Sequence, residues 1–487
     1  MVVTVTDGPG AGLGPLVEAL DDLDLRLLDG GFEAERAALR SFLSGYLAPR
    51  IEAADGPLVV AVVGESGSGK STLVNSLAGE PVSPAGALRP TTRGAVIWTA
   101  EDLPGTLDEV RPAGDVVVGG LGPPEGLVVV DTPPPSVAGP DGRPIAESVL
   151  DRADVCWVVA SGLRYADAAG WRLIDRAAAR SLPIVVVLNR MPEDPDVQDA
   201  IGFDLRRRLA TAGGLPGGSP IVTIAEGPIV AGTGGLPPEW TSRLRKEFDA
   251  LSDPATRRLI LRRNVAAGVR RVERDLRRLR EAAIDAALLH GELLLPVERA
   301  YSAEADRFAA TLAGGELADL RPDPSTLPGD LAAMVARRSS RAARIVAAAW
   351  ERHPGGRRLL EADAGLWSHA AGSPERAKER FEEWDRSLGA LVLDTLGKRR
   401  MSRRRRGRSA ALIRAAVLDP AFAPEGGRAA RRWRRLGDAP EAARRWLAEV
   451  AGGLILADGE RFRTAIGAAP DGDALRRLRF PEGAADG

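Results

Sequence analysis

The residues best equipped for chemistry are Gly64, Glu65, Ser66, Gly67, Ser68, Gly69, Lys70, Ser71 and Thr72. They lie between an apolar run, Leu58 to Val63, and the helical stretch that continues to Ala78. Glycine, four residues, then glycine-lysine-serine after a strand is the spacing of a loop that wraps phosphates. The glycines permit a turn tight enough for successive N–H groups to face one anion. The helix that follows adds partial positive charge from its N-terminus. Lys70 then reaches the β- and γ-phosphates, and the Ser71 hydroxyl ligates Mg2+, a hard cation that takes oxygen ligands and keeps several waters.

Two further strand ends supply partners. Val128 to Val130 run into Asp131, at the carboxyl end of a strand where parallel sheets present ligand groups, so Asp131 is a metal candidate acting through water. Leu88 to Arg93 precede another strand, and a threonine there closes over Mg2+ and the γ-phosphate; Thr91 and Thr92 share that candidacy. The catalytic set is therefore Lys70, Thr91, Thr92 and Asp131, and the metal set Ser71, Thr92 and Asp131. Val185 to Leu188 end in Asn189 and Arg190, an amide suited to a purine edge and a guanidinium suited to stacking on the base, although an ordinary strand-end loop has the same composition. Ala225 and Glu226, after the run Ile221 to Ile224, offer a backbone contact to the base.

These residues need a scaffold that brings several strand ends together. From Pro57 to about Gly227, short β-branched runs (Leu58 to Val63, Ala95 to Thr99, Leu127 to Val130, Val155 to Ala160, Ile184 to Leu188, Ile221 to Ile224) alternate with helical segments. This predicts an α/β P-loop NTPase domain, a mainly parallel sheet with helices on both faces, over 56–240. Residues 1–55 read as an N-terminal helical arm packing on a bundle, with Gly30-Gly31 as a break. Residues 241–487 read as an α-helical bundle, interrupted at Pro322 to Pro328, Gly372 to Pro374 and Pro420 to Gly427.

Composition narrows the partners. With 487 residues the chain exceeds what one core usually supports. Acidic and basic residues, 67 against 66, nearly cancel, so no chain-wide field draws it to nucleic acid or an acidic membrane. The sole cysteine, Cys156, excludes an internal disulfide and fits a reducing cytoplasm. The start, MVVTVTDGPGAG, lacks the basic and apolar regions of a secretory signal, and no apolar run approaches the length of a spanning helix. The densest charge run is Lys398 to Arg408. It suits anionic lipid headgroups or a solvated linker; without interleaved aromatics it offers no base-stacking surface for nucleic acid.

Taken in order, the phosphate loop, the threonine pair, Asp131-Thr132-Pro133 and Asn189-Arg190 resemble the motifs of translation-factor-class GTPases. The stretch Gly69 to Gly79, Arg89-Pro90-Thr91-Thr92 and the flanking helical regions narrow the resemblance to bacterial dynamin-like GTPases. Arg164-Tyr165-Ala166-Asp167 with Trp171, followed by Val185 to Pro192, is similar to the paired actinobacterial members. The resemblance implies GTP as substrate, Mg2+ as cofactor and hydrolysis that drives or gates helical rearrangement. It also implies self-association or a paired dynamin-like GTPase as partner, and a cytoplasmic chain peripheral to the inner face of the cell membrane.

Three departures weaken parts of that expectation. Pro134 stands where the family has the glycine of D-x-x-G, and proline has no N–H for a γ-phosphate. Pro192 stands where N-K-x-D has its aspartate, which relaxes discrimination against adenine unless Glu193 or Asp194 substitutes. Gly67 brings no side chain to a loop position that is polar in dynamins. Two alternatives therefore stand beside the GTPase: a nucleotide-gated scaffold with little turnover, and a P-loop ATPase of relaxed base specificity. An ATP-driven transporter motor is disfavoured, because Thr132 rather than a glutamate follows Asp131 and no L-S-G-G-Q loop is present.

Overall fold

The computed structural model describes residues 13–85, 94–100, 103, 105–108, 114–118, 122–138, 144–162, 164–165, 167–211, 219–397, 401–470 and 472–481. Two compact units emerge. The first comprises 1–23, 34–280 and 473–487, and the second 24–33 and 281–472.

The first unit is built on a seven-stranded sheet in the order β3-β2-β4-β1-β5-β6-β7. Its strands are β1 (Leu58–Val63), β2 (Ala95–Thr99), β3 (Gly114–Val118), β4 (Leu127–Asp131), β5 (Val155–Ser161), β6 (Ile184–Met191) and β7 (Ile221–Ala225). Every neighbouring pair is parallel except β2 with β4. Six of these strands are the expected apolar runs. β3 is an addition, for its sequence Gly-Asp-Val-Val-Val is short and opens with two residues depleted in strands.

Central strands of a parallel sheet are covered on both faces and so read as unbroken apolar runs. In β1 all six residues are buried and the pleat sorts them alternately. Val59, Ala61 and Val63 join one core with Val128, Val130, Leu173, Ile174 and Leu205. Leu58, Val60 and Val62 join the other with Leu73, Leu77, Trp98, Trp157, Leu244 and Phe248. Phe248 stacks on Trp98 at 6.1 Å and meets Trp157 edge-on at 5.7 Å. Because Phe248 belongs to the helix Pro238–Ser252, the sheet's core extends past residue 240, and the first unit runs to residue 280.

The N-terminal arm, expected on the bundle, divides. Residues 34–55 group with the sheet. The reason is a buried charge: Asp154, fully buried just before β5, accepts from Tyr46 Oη at 2.9 Å, from Val59 N at 2.8 Å and from Arg50, itself 1% exposed. Asn264 Nδ2 donates to the backbone carbonyl of the same residue at 2.9 Å. A buried carboxylate needs such partners, and here they fasten the arm to the strand that leads into the phosphate loop. Gly30-Gly31 opens the helix Gly30–Phe42 instead of interrupting one.

The second unit is helical. Its core gathers Phe308, Val335, Trp350, Phe381, Trp384 and Phe462. Both indoles are satisfied, Trp350 Nε1 donating to the Leu293 carbonyl at 2.9 Å and Trp384 Nε1 to the Ala443 carbonyl at 3.3 Å. Helix boundaries follow the proline signals: Pro328 and Pro374 sit in the first turns of Leu327–Trp350 and Ser373–Thr395. Pro296 is the exception, lying inside the continuous helix Pro254–Ala313. Among the described residues no helix is long and apolar enough to cross a membrane.

Candidate functional site

β1 lies between β4 and β5, the position in an open parallel sheet where a crevice forms at the carboxyl ends of the strands. Residues 64–69 leave β1 there and enter the helix Lys70–Ala78. Gly64, Gly67 and Gly69 have φ of 147°, 74° and 95°. At Gly64 a Cβ would stand 2.1 Å from the Val159 carbonyl, and at Gly69 it would stand 2.1 Å from Asn189 Nδ2. Glycine is required at both by backbone conformation and by space.

Lys70 is 6% exposed, and its Nζ donates to the carbonyls of Gly64 at 2.8 Å and Glu65 at 3.1 Å. The ammonium thus bridges its own loop. Burial holds its pKa below the usual lysine value, with the charges of Asp131 and Glu65 opposing.

Asp131 ends β4, paired with Val62 in register, and is fully buried. Its Oδ2 accepts from Ser71 Oγ at 2.6 Å and from Ser83 Oγ at 2.6 Å. Its Oδ1 is buried and has no hydrogen-bond partner among the described residues. Burial raises its pKa, opposed by Lys70 and by the Ser71 and Ser83 hydroxyls. A buried carboxylate oxygen without a donor, beside a serine hydroxyl, is a donor set that fits a hard divalent cation carrying its own waters. Thr132 pins the turn that follows, its N and Oγ1 both donating to the Val62 carbonyl at 3.1 and 2.9 Å. Pro134 is buried in that turn.

Asn189 is 4% exposed, and its Nδ2 donates to the Ser68 carbonyl at 2.8 Å. The amide offered for a purine edge therefore braces the phosphate loop. Arg190 is exposed and adopts φ of 54°, at a shift in the β6–β7 register between Leu188 and Met191. For a side-chain-bearing residue that conformation is sparsely populated and stores on the order of 1 kcal/mol. Of the two substitutes for the absent carboxylate, Asp194 is engaged, its Oδ1 accepting from Asp196 N at 3.0 Å, and Glu193 is exposed. Thr91 and Thr92 lie outside the described residues.

The first part of this site has known relatives: residues 60–111 match the sequence profile of the Dynamin family. That segment is dynamin-like. Two solved structures are similar in course, each described as an oligomerised bacterial dynamin pair providing a mechanism for long-range sensing and tethering of membranes. One aligns at 10% identity over 93% of this chain and 90% of its own, with a TM-score of 0.32. The other aligns at 10% identity over 95% of this chain and 81% of its own, with a TM-score of 0.28. Likeness at that level assigns no function here. No curated protein matches the chain.

The structure brings together the dynamin-like stretch Gly64 to Thr72 with Asp131 and Asn189, from β1, β4 and β6. Sequence reasoning missed Ser83 and Asn75. Asn75, 1% exposed within the helix after the loop, exchanges two hydrogen bonds with Ser83, Nδ2 to its carbonyl at 2.9 Å and Ser83 N to Oδ1 at 2.8 Å. The one available signal was an asparagine inside the helix that follows the loop.

Proposed function

We propose that the chain binds GTP with Mg2+ and hydrolyses it slowly, using the cycle to drive or gate rearrangement of its helical region. The observation that carries this is the meeting of Lys70, Ser71 and Asp131 at the mouth of β1, with one carboxylate oxygen lacking a donor among the described residues and the lysine held on carbonyls of its own loop. Lys70 exchanges those two carbonyls for phosphate oxygens, which relieves a buried ammonium of weak neutral partners. Ser71 would offer its hydroxyl oxygen to the cation while keeping its hydrogen for Asp131, and Asp131 would orient a water on the cation. Ser71 and, through water, Asp131 would hold Mg2+, which would supply neutralisation of the charge that develops on the phosphates. Thr91 or Thr92 is the candidate switch threonine. Pro134 gives no N–H to the γ-phosphate, which supports slow turnover.

Base recognition rests on Arg190 and the backbone near Ala225 and Glu226, so preference for GTP over ATP is modest. Peripheral contact with anionic membrane falls to the basic run 398–408, of which Arg403, Arg404, Arg405 and Arg408 are exposed on or beside the first turns of the helix Arg403–Leu418. Self-association, or pairing with a second dynamin-like chain in the cytoplasm, completes the proposal.

Lys70→Ala tests the site. Triphosphate binding should be lost while the melting temperature stays near that of the wild type, and unchanged affinity would refute the assignment. A second function, a nucleotide-gated scaffold, is favoured by Pro134 and Gly67. It predicts one bound nucleotide and no multiple-turnover phosphate release.

A further inference from the structure

We propose that Ser83 is a positioning residue that holds Asp131 in its metal-facing orientation through the nucleotide cycle. This rests on the nucleotide function proposed above. Ser83 is 3% exposed, and its hydroxyl donates to Asp131 Oδ2 at 2.6 Å. Its own place is fixed by Asn75, whose side-chain amide pairs with the Ser83 backbone through two hydrogen bonds of 2.8 and 2.9 Å. Asn75 belongs to the helix that starts at Lys70. One serine therefore ties that helix, the loop after it and the end of β4 into a single unit.

Geometry at the carboxylate shows why a second hydroxyl is needed. Ser71 and Ser83 both donate to Oδ2, and Oδ1 accepts from nothing among the described residues. A Ser71 oxygen that gave a lone pair to a cation would keep its hydrogen for Asp131, so Oδ2 would have two donors, of which only Ser83 stands clear of the cation. Without Ser83, Ser71 alone would hold Oδ2, and the carboxylate could rotate about its Cβ–Cγ bond inside a buried site. With Ser83, Oδ2 stays anchored and Oδ1 keeps its direction.

Groups behind a metal ligand commonly change metal affinity by about 10–100-fold when removed. The test is a titration of Mg2+ against a full-length chain bound to a fluorescent, slowly hydrolysed GTP analogue, compared with binding in EDTA and with the melting temperature. Ser83→Ala should raise the Mg2+ midpoint by about tenfold, the lower end of that range because Asp131 acts through water, and leave the EDTA affinity within about twofold. Ser83→Thr, which keeps the hydroxyl, should restore the midpoint. If Ser83→Ala does not fold, Ser83→Cys, nearly isosteric and a weak donor, should show the same rise. An unchanged midpoint overturns the proposal. So does an equal loss with Mg2+ and with EDTA, which would mark Ser83 as a packing residue. A wild-type chain that binds no nucleotide in a Mg2+-dependent way removes the nucleotide function itself, and with it this role for Ser83.

Discussion

Replacing Asn189 by alanine separates two jobs that one amide can do in a nucleotide site. Its Nδ2 lies 2.8 Å from the Ser68 carbonyl, it is 4% exposed, and it packs against Gly69 so closely that no Cβ would fit between them. Removing the amide leaves a buried carbonyl without its donor and opens space beside a glycine with φ of 95°. An unsatisfied buried group of this kind costs about 1–3 kcal/mol. If the whole cost falls on the phosphate-binding form of the loop, affinity drops roughly 5- to 150-fold, at 1.4 kcal/mol per factor of ten. Because the lost bond acts on the loop, GTP and ATP should lose affinity by the same factor, and their ratio should not move. Competition titrations of both nucleotides against a fluorescent analogue measure the two constants in one series. A collapse of the GTP/ATP ratio with ATP affinity intact would refute this reasoning and return Asn189 to the base.

Asp154→Ala should destabilise the first unit by about 3–5 kcal/mol, since it leaves the buried Arg50 without its counter-charge; denaturant unfolding measures this, and a loss below about 1 kcal/mol would show that Arg50 finds another acceptor. Changing Arg403, Arg404, Arg405 and Arg406 to Ser should abolish sedimentation with anionic liposomes and leave nucleotide affinity unchanged. Wild-type sedimentation should fall as salt rises, because exposed charges are screened within about 8 Å at physiological ionic strength. Cys156, whose thiol burial pushes up to about 12, should resist a thiol reagent at pH 8 in the native chain and react once denatured; rapid native labelling would show that β5 opens.

The phosphate loop was legible because its chemistry is local: the glycines, Lys70 and Ser71 act through spacing along one turn, and spacing is what a sequence displays. Strands β1, β4, β5 and β6 were legible for a related reason, since burial on both faces leaves runs of valine, leucine and isoleucine. The edge strand β3, with Gly114 and Asp115 at its start, carries no such imprint. Ser83 was invisible because its role depends on a contact with Asp131, 48 residues further on. Asn189 was given the base as its partner, whereas its amide donates to the Ser68 carbonyl, because nothing in a strand-end asparagine says which of two neighbours its amide faces. The division of the N-terminal arm turned on Arg50 and Tyr46 finding Asp154, again a contact across more than 100 residues.

That last contact bears on how the chain is made. Asp154 is joined by Arg50 from 104 residues upstream, and its carbonyl is held by Asn264 from 110 residues downstream. Synthesis runs at about 5–20 residues per second, so Arg50 emerges roughly 10–40 s before Asn264 has been added. Through that interval the early helices have an arginine and a tyrosine with no carboxylate to meet, then a carboxylate not yet covered. The contact around Asp154 is thus completed only once Asn264 has been added, closed from its far end. A chain truncated shortly before Asn264 would carry every phosphate-loop residue and still lack the asparagine that closes over Asp154.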